Sequence, residues 1–434
     1  MILPLPALLA VIFILGYLAI ALEGSLRVQK AAAALILGAL LWTIIALGGG
    51  PQAIERLPEH LADVAAVIFF LLGAMTIVEV IDSHEGFAVL TSRITTKDTR
   101  KLLWIVSFFA FFLSAVLDNL TTTIVMLAIA GKLVPSKKDR LFFAGMIVIA
   151  ANAGGAFTPI GDVTTTMLWI AGRISALSII ERLFVPSLLN LVVPLIVATF
   201  MVGKAGSALT AEEVQAVATR AARTGEARTS RLESTIILVL GVGLLIAVPL
   251  FKILTHLPPW VGMLFALGVL WLVTELLHRG KEEETRSSLG PTTALNRIDM
   301  SSVMFFIGIL LAVSALQSAG ILSGLADWLG QRFADTRIVV FFLGLLSAVV
   351  DNVPLVAGAI GMYSLSTYPM DNVIWEFLAY TAGTGGSILI IGSAAGVVAM
   401  GIENISFGWY LRRIAPLALL GYLAGCGTYI LMVH

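Results

Sequence analysis

Three aspartates stand inside otherwise apolar stretches of this chain: Asp118, Asp162 and Asp351. Each has amide and hydroxyl side chains beside it, a collection of hard oxygen donors that can take a small cation or protons. Asp118 ends the run Leu-Ser-Ala-Val-Leu-Asp-Asn at 113–119, and Asp351 ends Leu-Ser-Ala-Val-Val-Asp-Asn at 346–352; six of the seven positions are identical. Ser114 lies one turn before Asp118-Asn119, and Thr121, Thr122 and Thr123 come after. Asp118 is also a good N-cap for a helix starting at Asn119. Capping and cation binding are compatible, and the duplicate at Asp351-Asn352 argues for more than a cap.

The third aspartate belongs to Thr158-Pro159-Ile160-Gly161-Asp162-Val163-Thr164-Thr165-Thr166. Gly154 and Gly155 just before it permit unusual backbone angles, and Pro159 limits helix formation. The threonines then restart a helix; Thr166 is equally well explained by a bond back to its own backbone. In the second half Gly392-Ser393 stands where the first half has Gly161-Asp162. Both halves therefore carry a carboxylate before Asn, but only the first adds another at the glycine-rich break. The main cation and proton site is expected to lie toward the first half.

The elements holding these residues follow from composition. Of 434 residues 59% are hydrophobic and 12% charged, and mean hydropathy is +0.99. Soluble domains carry about 25% charged residues, so the chain reads as an all-α polytopic membrane protein. Zero net charge argues against nucleic-acid binding. Apolar stretches of spanning length, roughly 17–25 residues, fall near 4–22, 29–47, 61–81, 178–202, 233–254, 261–278, 300–320 and 409–431. Residues 4–22 lack a basic leader region and a convincing cleavage site, and read as the first membrane helix. Segments 140–172 and 374–402 are too long for one simple helix and are interrupted by glycines, which predicts two broken helices.

Segments 102–131 and 338–366 are long for one crossing and short for two. If each enters and leaves on one face, the loops near 23–30, 82–101, 132–140, 203–231, 276–299 and 403–413 share a side and hold 21 of the 27 Lys and Arg residues. That segregation marks the cytoplasmic face, and reading either segment as a single crossing spoils it. The expectation is ten spans and two re-entrant hairpins with both termini outside, in inverted repeats of five spans each. Residues 1–202 form the first repeat, 203–231 a cytoplasmic linker with a short surface helix at Ala211–Arg223, and 232–434 the second repeat.

Weaker candidates are Glu79 and Glu275 near helix ends and Asp63 near the outer interface. The five histidines fall in loops or at ends with no metal-ligand spacing, and the single Cys426 reads as helix packing. No phosphate-binding loop, dinucleotide fingerprint or catalytic pair occurs, so an enzyme is disfavoured and no cofactor is expected. No basic residue falls in a span core, which favours a cation over an anion as cargo.

The Asp-Asn pairs, the run Asn-Ala-Gly-Gly-Ala-Phe-Thr-Pro-Ile-Gly-Asp-Val-Thr-Thr-Thr at 152–166 and Gly-Thr-Gly-Gly-Ser at 383–387 resemble the NhaD-type sodium/proton antiporters of the ion transporter superfamily. The likeness covers essentially the whole chain and is most specific at 152–166. It implies a homodimer in a bacterial inner membrane exchanging sodium or lithium for protons. It also implies roles for Asp118, Asn119, Asn152, Asp162, Thr164, Thr165, Ser347, Asp351, Asn352 and Ser387. Thr158 and Ser393 join them from the breaks, and Na+ is expected at Asp118, Asn119, Asp162, Asp351 and Asn352. Related dicarboxylate carriers have Ser-Asn-Thr where this chain has Asp118-Asn119-Leu120 and Asp351-Asn352-Val353. Carboxylates there repel a dicarboxylate. The alternative within the superfamily is an exporter of arsenite or another small substrate.

Overall fold

Long runs of Leu, Ile, Val and Ala leave helix as the way to satisfy backbone N–H and C=O groups away from water. The computed structural model describes residues 4–21, 23, 28–48, 54–87, 96, 98–134, 136–202, 229–333 and 335–433, and every regular element among them is a helix. The first half contains α1 (Leu5–Ala21), α2 (Lys30–Leu47), α3 (Leu57–Ser83), α4 (Thr99–Ser114), α5 (Asn119–Leu133), α6 (Lys137–Ala156), α7 (Val163–Ile170) and α8 (Ala176–Met201). The second opens with α9 (Arg231–Thr255), α10 (Pro259–Leu277), α11 (Glu283–Leu289), α12 (Pro291–Arg297), α13 (Met300–Ser318) and α14 (Ile321–Arg332). It continues with α15 (Thr336–Leu346), α16 (Asn352–Met362), α17 (Val373–Gly385), α18 (Ala394–Glu403), α19 (Phe407–Arg413) and α20 (Ala415–Val433). Of the linker expected over 203–231, residues 203–228, with the surface helix expected there, lie outside the described residues.

Seven helices, α2, α3, α8, α9, α10, α13 and α20, are long and apolar enough to cross a membrane. The other segments that the sequence assigns to crossings are α1, with 17 residues, and the interrupted rods α6–α7 and α17–α18. Leu47, Phe200, Leu254 and Leu431 are each at least 77% exposed, an outer surface suited to lipid and not to water. This is a multi-pass membrane protein.

The Asp-Asn pairs sit where helices restart. Residues 115–118 join α4 to α5, and Asp118 caps α5 by accepting from the Thr121 N–H at 2.8 Å. Residues 347–351 join α15 to α16, and Asp351 caps α16 through the Val353 N–H at 3.2 Å. Asp162 caps α7 through Thr164, and Ser393 caps α18 through Gly396.

One expectation about the breaks is corrected. Gly154 and Gly155 lie inside α6, which runs to Ala156, and neither has positive φ. Their value is the missing Cβ. A methyl on Gly154 would collide with the Phe111 carbonyl of α4, and one on Gly155 would lie 2.5 Å from the Gly161 oxygen. Gly385 stands against Gly344 of α15, and Gly386 against the Gly392 oxygen, in the same way. Ser114 donates to the Ala151 carbonyl at 2.6 Å, and Ser347 to the Ala382 carbonyl at 2.8 Å. In each half a helix-pair turn is therefore seated directly on a helix break.

The apolar core has two parts. One surrounds the turns and breaks and takes in the buried faces of α8, α20, α9 and α10. The other gathers α1, α2, the first half of α3 and α13. Gly38 and Gly308 let α2 and α13 approach backbone to backbone, as small residues do in membrane helix pairs. Trp42 then donates to the Leu311 carbonyl at 3.0 Å. Helix α16 contributes Val353 and Ala357 to this part, and Val356 and Ala359 to the other.

Candidate functional site

Asp162 is the centre of the polar network. It is 1% exposed, held by its own cap and by donors from two other elements. Oδ1 accepts from the Thr164 N–H at 2.8 Å and the Thr164 hydroxyl at 2.7 Å. Oδ2 accepts from the Asn119 amide at 2.6 Å. The Asn352 amide approaches Oδ1 at 3.5 Å, a weak contact by geometry. Both Asn residues of the Asp-Asn turns thus point at a carboxylate from the first break.

Asn152 ties the two halves together. Its oxygen accepts from the Asn119 amide at 2.9 Å, and its own amide donates to Ser387 at 2.8 Å and Ser393 at 3.1 Å. One continuous chain of bonds therefore links Asn352, Thr164, Asp162, Asn119, Asn152, Ser387 and Ser393. Three other expected residues have a different geometry. The hydroxyl protons of Thr158, Thr165 and Ser347 are committed to the carbonyls of Ala115, Asp162 and Ala382, while each oxygen keeps lone pairs for another partner. The hydroxyls of Thr122 and Thr123 are buried and lack a hydrogen bond among the described residues.

Asp118 and Asp351 lie outside this chain of bonds but line the same cavity as Asp162, with Asn119 and Asn352. Asp118 keeps to its own helix, accepting from the Thr121 hydroxyl at 2.6 Å as well as from its N–H. The cavity is about 70 Å³ and its remaining walls are mostly apolar, from Phe70, Leu71, Met75, Val78 and Met263 among others. Roughly 10–15 Å³ of such space seats one water, so the cavity has room for a few waters or one partly hydrated ion. Oxygen donors on several elements facing a small, largely apolar space have the chemistry to hold a cation or a proton.

A basic residue from the edge of a span, outside its core, nevertheless stands beside one of these carboxylates. Lys30, which the sequence places in a loop, is the first residue of α2, and its ammonium lies 3.3 Å from Asp351. Sequence reasoning also missed Glu376 of α17. It is fully buried and bonded to Arg182 at 3.1 Å, Ser178 at 2.6 Å and Tyr429 at 2.8 Å, joining α17 to α8 and α20. Glu79 and Glu275 are paired with Arg297 at 3.7 Å and Arg286 at 2.8 Å, away from the cavity lining. His84 and His278, far apart in sequence, meet with Nε2 atoms 2.8 Å apart. No cluster of three or more metal-ligating residues occurs among the described residues.

The sequence profile of the citrate transporter family matches residues 3–381. Sodium/proton antiporter 1 of Arabidopsis thaliana is 45% identical over 428 residues, covering 98% of this chain and 72% of that protein. Na(+)/H(+) antiporter NhaD of Vibrio cholerae is 30% identical over 453 residues, covering 98% of this chain and 91% of that one. The chain belongs to the citrate transporter family and to the NhaD-type antiporters. It is a transporter and not an enzyme. NhaD of Alkalimonas amylolytica, 30% identical over 96% of this chain and 89% of that protein, is similar over the same extent. The antiporter matches run through both turns and both breaks, whereas the family profile ends before the second break.

Proposed function

We propose that this protein exchanges sodium, or lithium, for protons across the membrane, using Asp162 with Asp118 and Asp351 as the groups that hold either ion. The main support is the buried Asp162, approached by Asn119 and Asn352 from the two helix-pair turns. A carboxylate in apolar surroundings is stabilised when neutralised, by a bound cation or by a proton. Competition between the two for one set of carboxylates gives exchange without simultaneous occupancy.

The wider reading treats the two helix pairs as re-entrant hairpins in inverted repeats, with the basic loops on the cytoplasmic face. The same nested turn-and-break contacts in both halves support it. The family resemblance adds a homodimer and an inner-membrane location. Citrate fits the site poorly: three carboxylates face a cavity of about 70 Å³ whose lining, among the described residues, holds a single basic one, Lys30. Arsenite, uncharged at neutral pH, is not favoured by a carboxylate cage.

The test is purified protein in proteoliposomes with a preformed pH gradient. Sodium and lithium should dissipate the gradient, and half-saturating sodium should rise as pH falls because protons occupy the same oxygens. Citrate and arsenite should have no comparable effect. Movement of either of those without sodium would sink the antiporter reading and leave the fold standing.

A further inference from the structure

We infer that the Lys30 ammonium is a tethered competitor for the substrate cation: it holds Asp351 when that carboxylate has no cation, and an incoming sodium must displace it. The inference rests on the exchange proposed above and adds a specificity-determining residue to it.

The geometry is particular to the second half. Lys30 lies 3.3 Å from Asp351 Oδ2, and the two side chains are 26% and 19% exposed. The ammonium also sits over the Phe305 ring, 4.4 Å from its centre, a contact that favours a cation. Its backbone N–H is held by Glu23 at 3.2 Å, while the Asp351 N–H is held by the Tyr17 hydroxyl at 3.1 Å. Both ends of the pair are thus anchored through backbone, leaving the ammonium and carboxylate as the movable parts. Lys30, Asp118, Asp162 and Asp351 all line the cavity. Asp118, in contrast, accepts from the neutral N–H and hydroxyl of Thr121.

A lysine ammonium and a sodium ion ask for the same thing of a carboxylate. Two positive charges on one oxygen pair repel strongly in a low-dielectric cavity. Sodium binding at Asp351 therefore requires the flexible lysine stem to swing out, and sodium leaving lets it return. The returning ammonium neutralises Asp351, so this carboxylate is not left bare between cargo ions. It also weakens sodium's hold, which favours release.

The test compares wild type with Lys30→Gln, Lys30→Met and Lys30→Arg in the proteoliposome assay, measuring half-saturating sodium and maximal rate separately. Removing the ammonium should lower half-saturating sodium by about fivefold, the scale of a partly exposed ion pair, with no gain in maximal rate. Arginine, which keeps the charge, should give a smaller change than Gln or Met. The Lys30→Gln effect should vanish on an Asp351→Asn background, since the two residues act as a pair. A second readout is sodium-dependent thermal stabilisation in detergent, which should reach half-effect at lower sodium in Lys30→Gln. Working wild-type exchange with unchanged or raised half-saturating sodium in both Gln and Met variants overturns the inference and leaves the antiporter reading intact. Wild-type protein that does not exchange sodium for protons overturns both.

Discussion

The two halves of this molecule share a scaffold but not a chemistry. In each, a Ser-Ala-Val-x-Asp-Asn turn is seated on a glycine-lined break, with a serine hydroxyl bonded to a facing carbonyl. In the first half the break carries Asp162 and the turn carboxylate, Asp118, keeps to its own threonine. In the second half the break carries Ser393 and the turn carboxylate, Asp351, faces a lysine. Backbone approach fixes the glycine positions, so they recur in both halves. The side chains that face the cavity are free to specialise.

Neutralising the carboxylates one by one puts that asymmetry to its hardest trial. Asp162→Asn keeps shape and removes charge, and should reduce exchange below detection while the protein stays folded by size-exclusion chromatography. Asp118→Asn should do the same. Asp351→Asn should retain measurable exchange, because its half holds no second carboxylate at the break. Equal and complete loss in all three would erase the functional asymmetry.

Next in size is Asn152→Ala, which removes a side chain bonded both to Asn119 and to Ser387 and Ser393. Leaving buried donors and acceptors unpaired costs about 1–3 kcal/mol. Thermal stability should fall, and exchange should drop through its maximal rate.

The shared scaffold gives a matched pair of smaller effects. Gly154→Ala and Gly385→Ala each drive a methyl into a backbone carbonyl of the facing helix. Such overpacking costs about 1–3 kcal/mol, and the two melting temperatures should fall by similar amounts. Markedly unequal losses would show that the nested turns are not equivalent.

The smallest effect lies away from both sites, at His84 and His278. Burial pushes the His84 imidazole down from 6.5 to about 4, and burial lowers His278 as well. Between those values the unfolded chain binds a proton that the folded chain refuses. The contribution of this neutral pair to stability is therefore fully present above about pH 6.5 and is lost as pH falls toward 4. His84→Gln should flatten the pH dependence of the melting temperature across that window. The pH dependence of exchange should survive, since the proposed carboxylates are untouched.

The Asp-Asn pairs, the run at 152–166 and the helix interruptions are legible in the sequence because charge and glycine stand out against an apolar chain. Asp118 and Asp162 also obey local capping rules, so their places at helix starts follow from neighbouring residues alone. Glycine is legible as a position but not as a purpose. A sequence does not say whether a missing Cβ serves a bend or a close approach, and Gly154 and Gly155 serve the second. Lys30 is hidden for another reason. Its partner lies 321 residues away, and a lysine at the edge of an apolar run reads as a loop charge. The His84–His278 contact spans 194 residues and is hidden in the same way. Glu376 differs from both, because an acidic residue inside an apolar span is itself a signal of burial with a partner.

The division of the apolar core into two parts has a mechanical consequence. Within each part the helices are keyed by directional contacts: Trp42 and the Gly38–Gly308 crossing on one side, the nested turns and breaks on the other. Between the parts the ties are few in kind: α3 and α16 run through both, and the Tyr17 hydroxyl holds the Asp351 N–H. Lys30 belongs to the helix pair of one part, and Asp351 begins a helix that packs on both. Were the two parts to shift during exchange, the Lys30–Asp351 ion pair is placed to act as a detent. It would lend one position of the two parts a definite footing, which a small monovalent ion taking the lysine's place at Asp351 would remove.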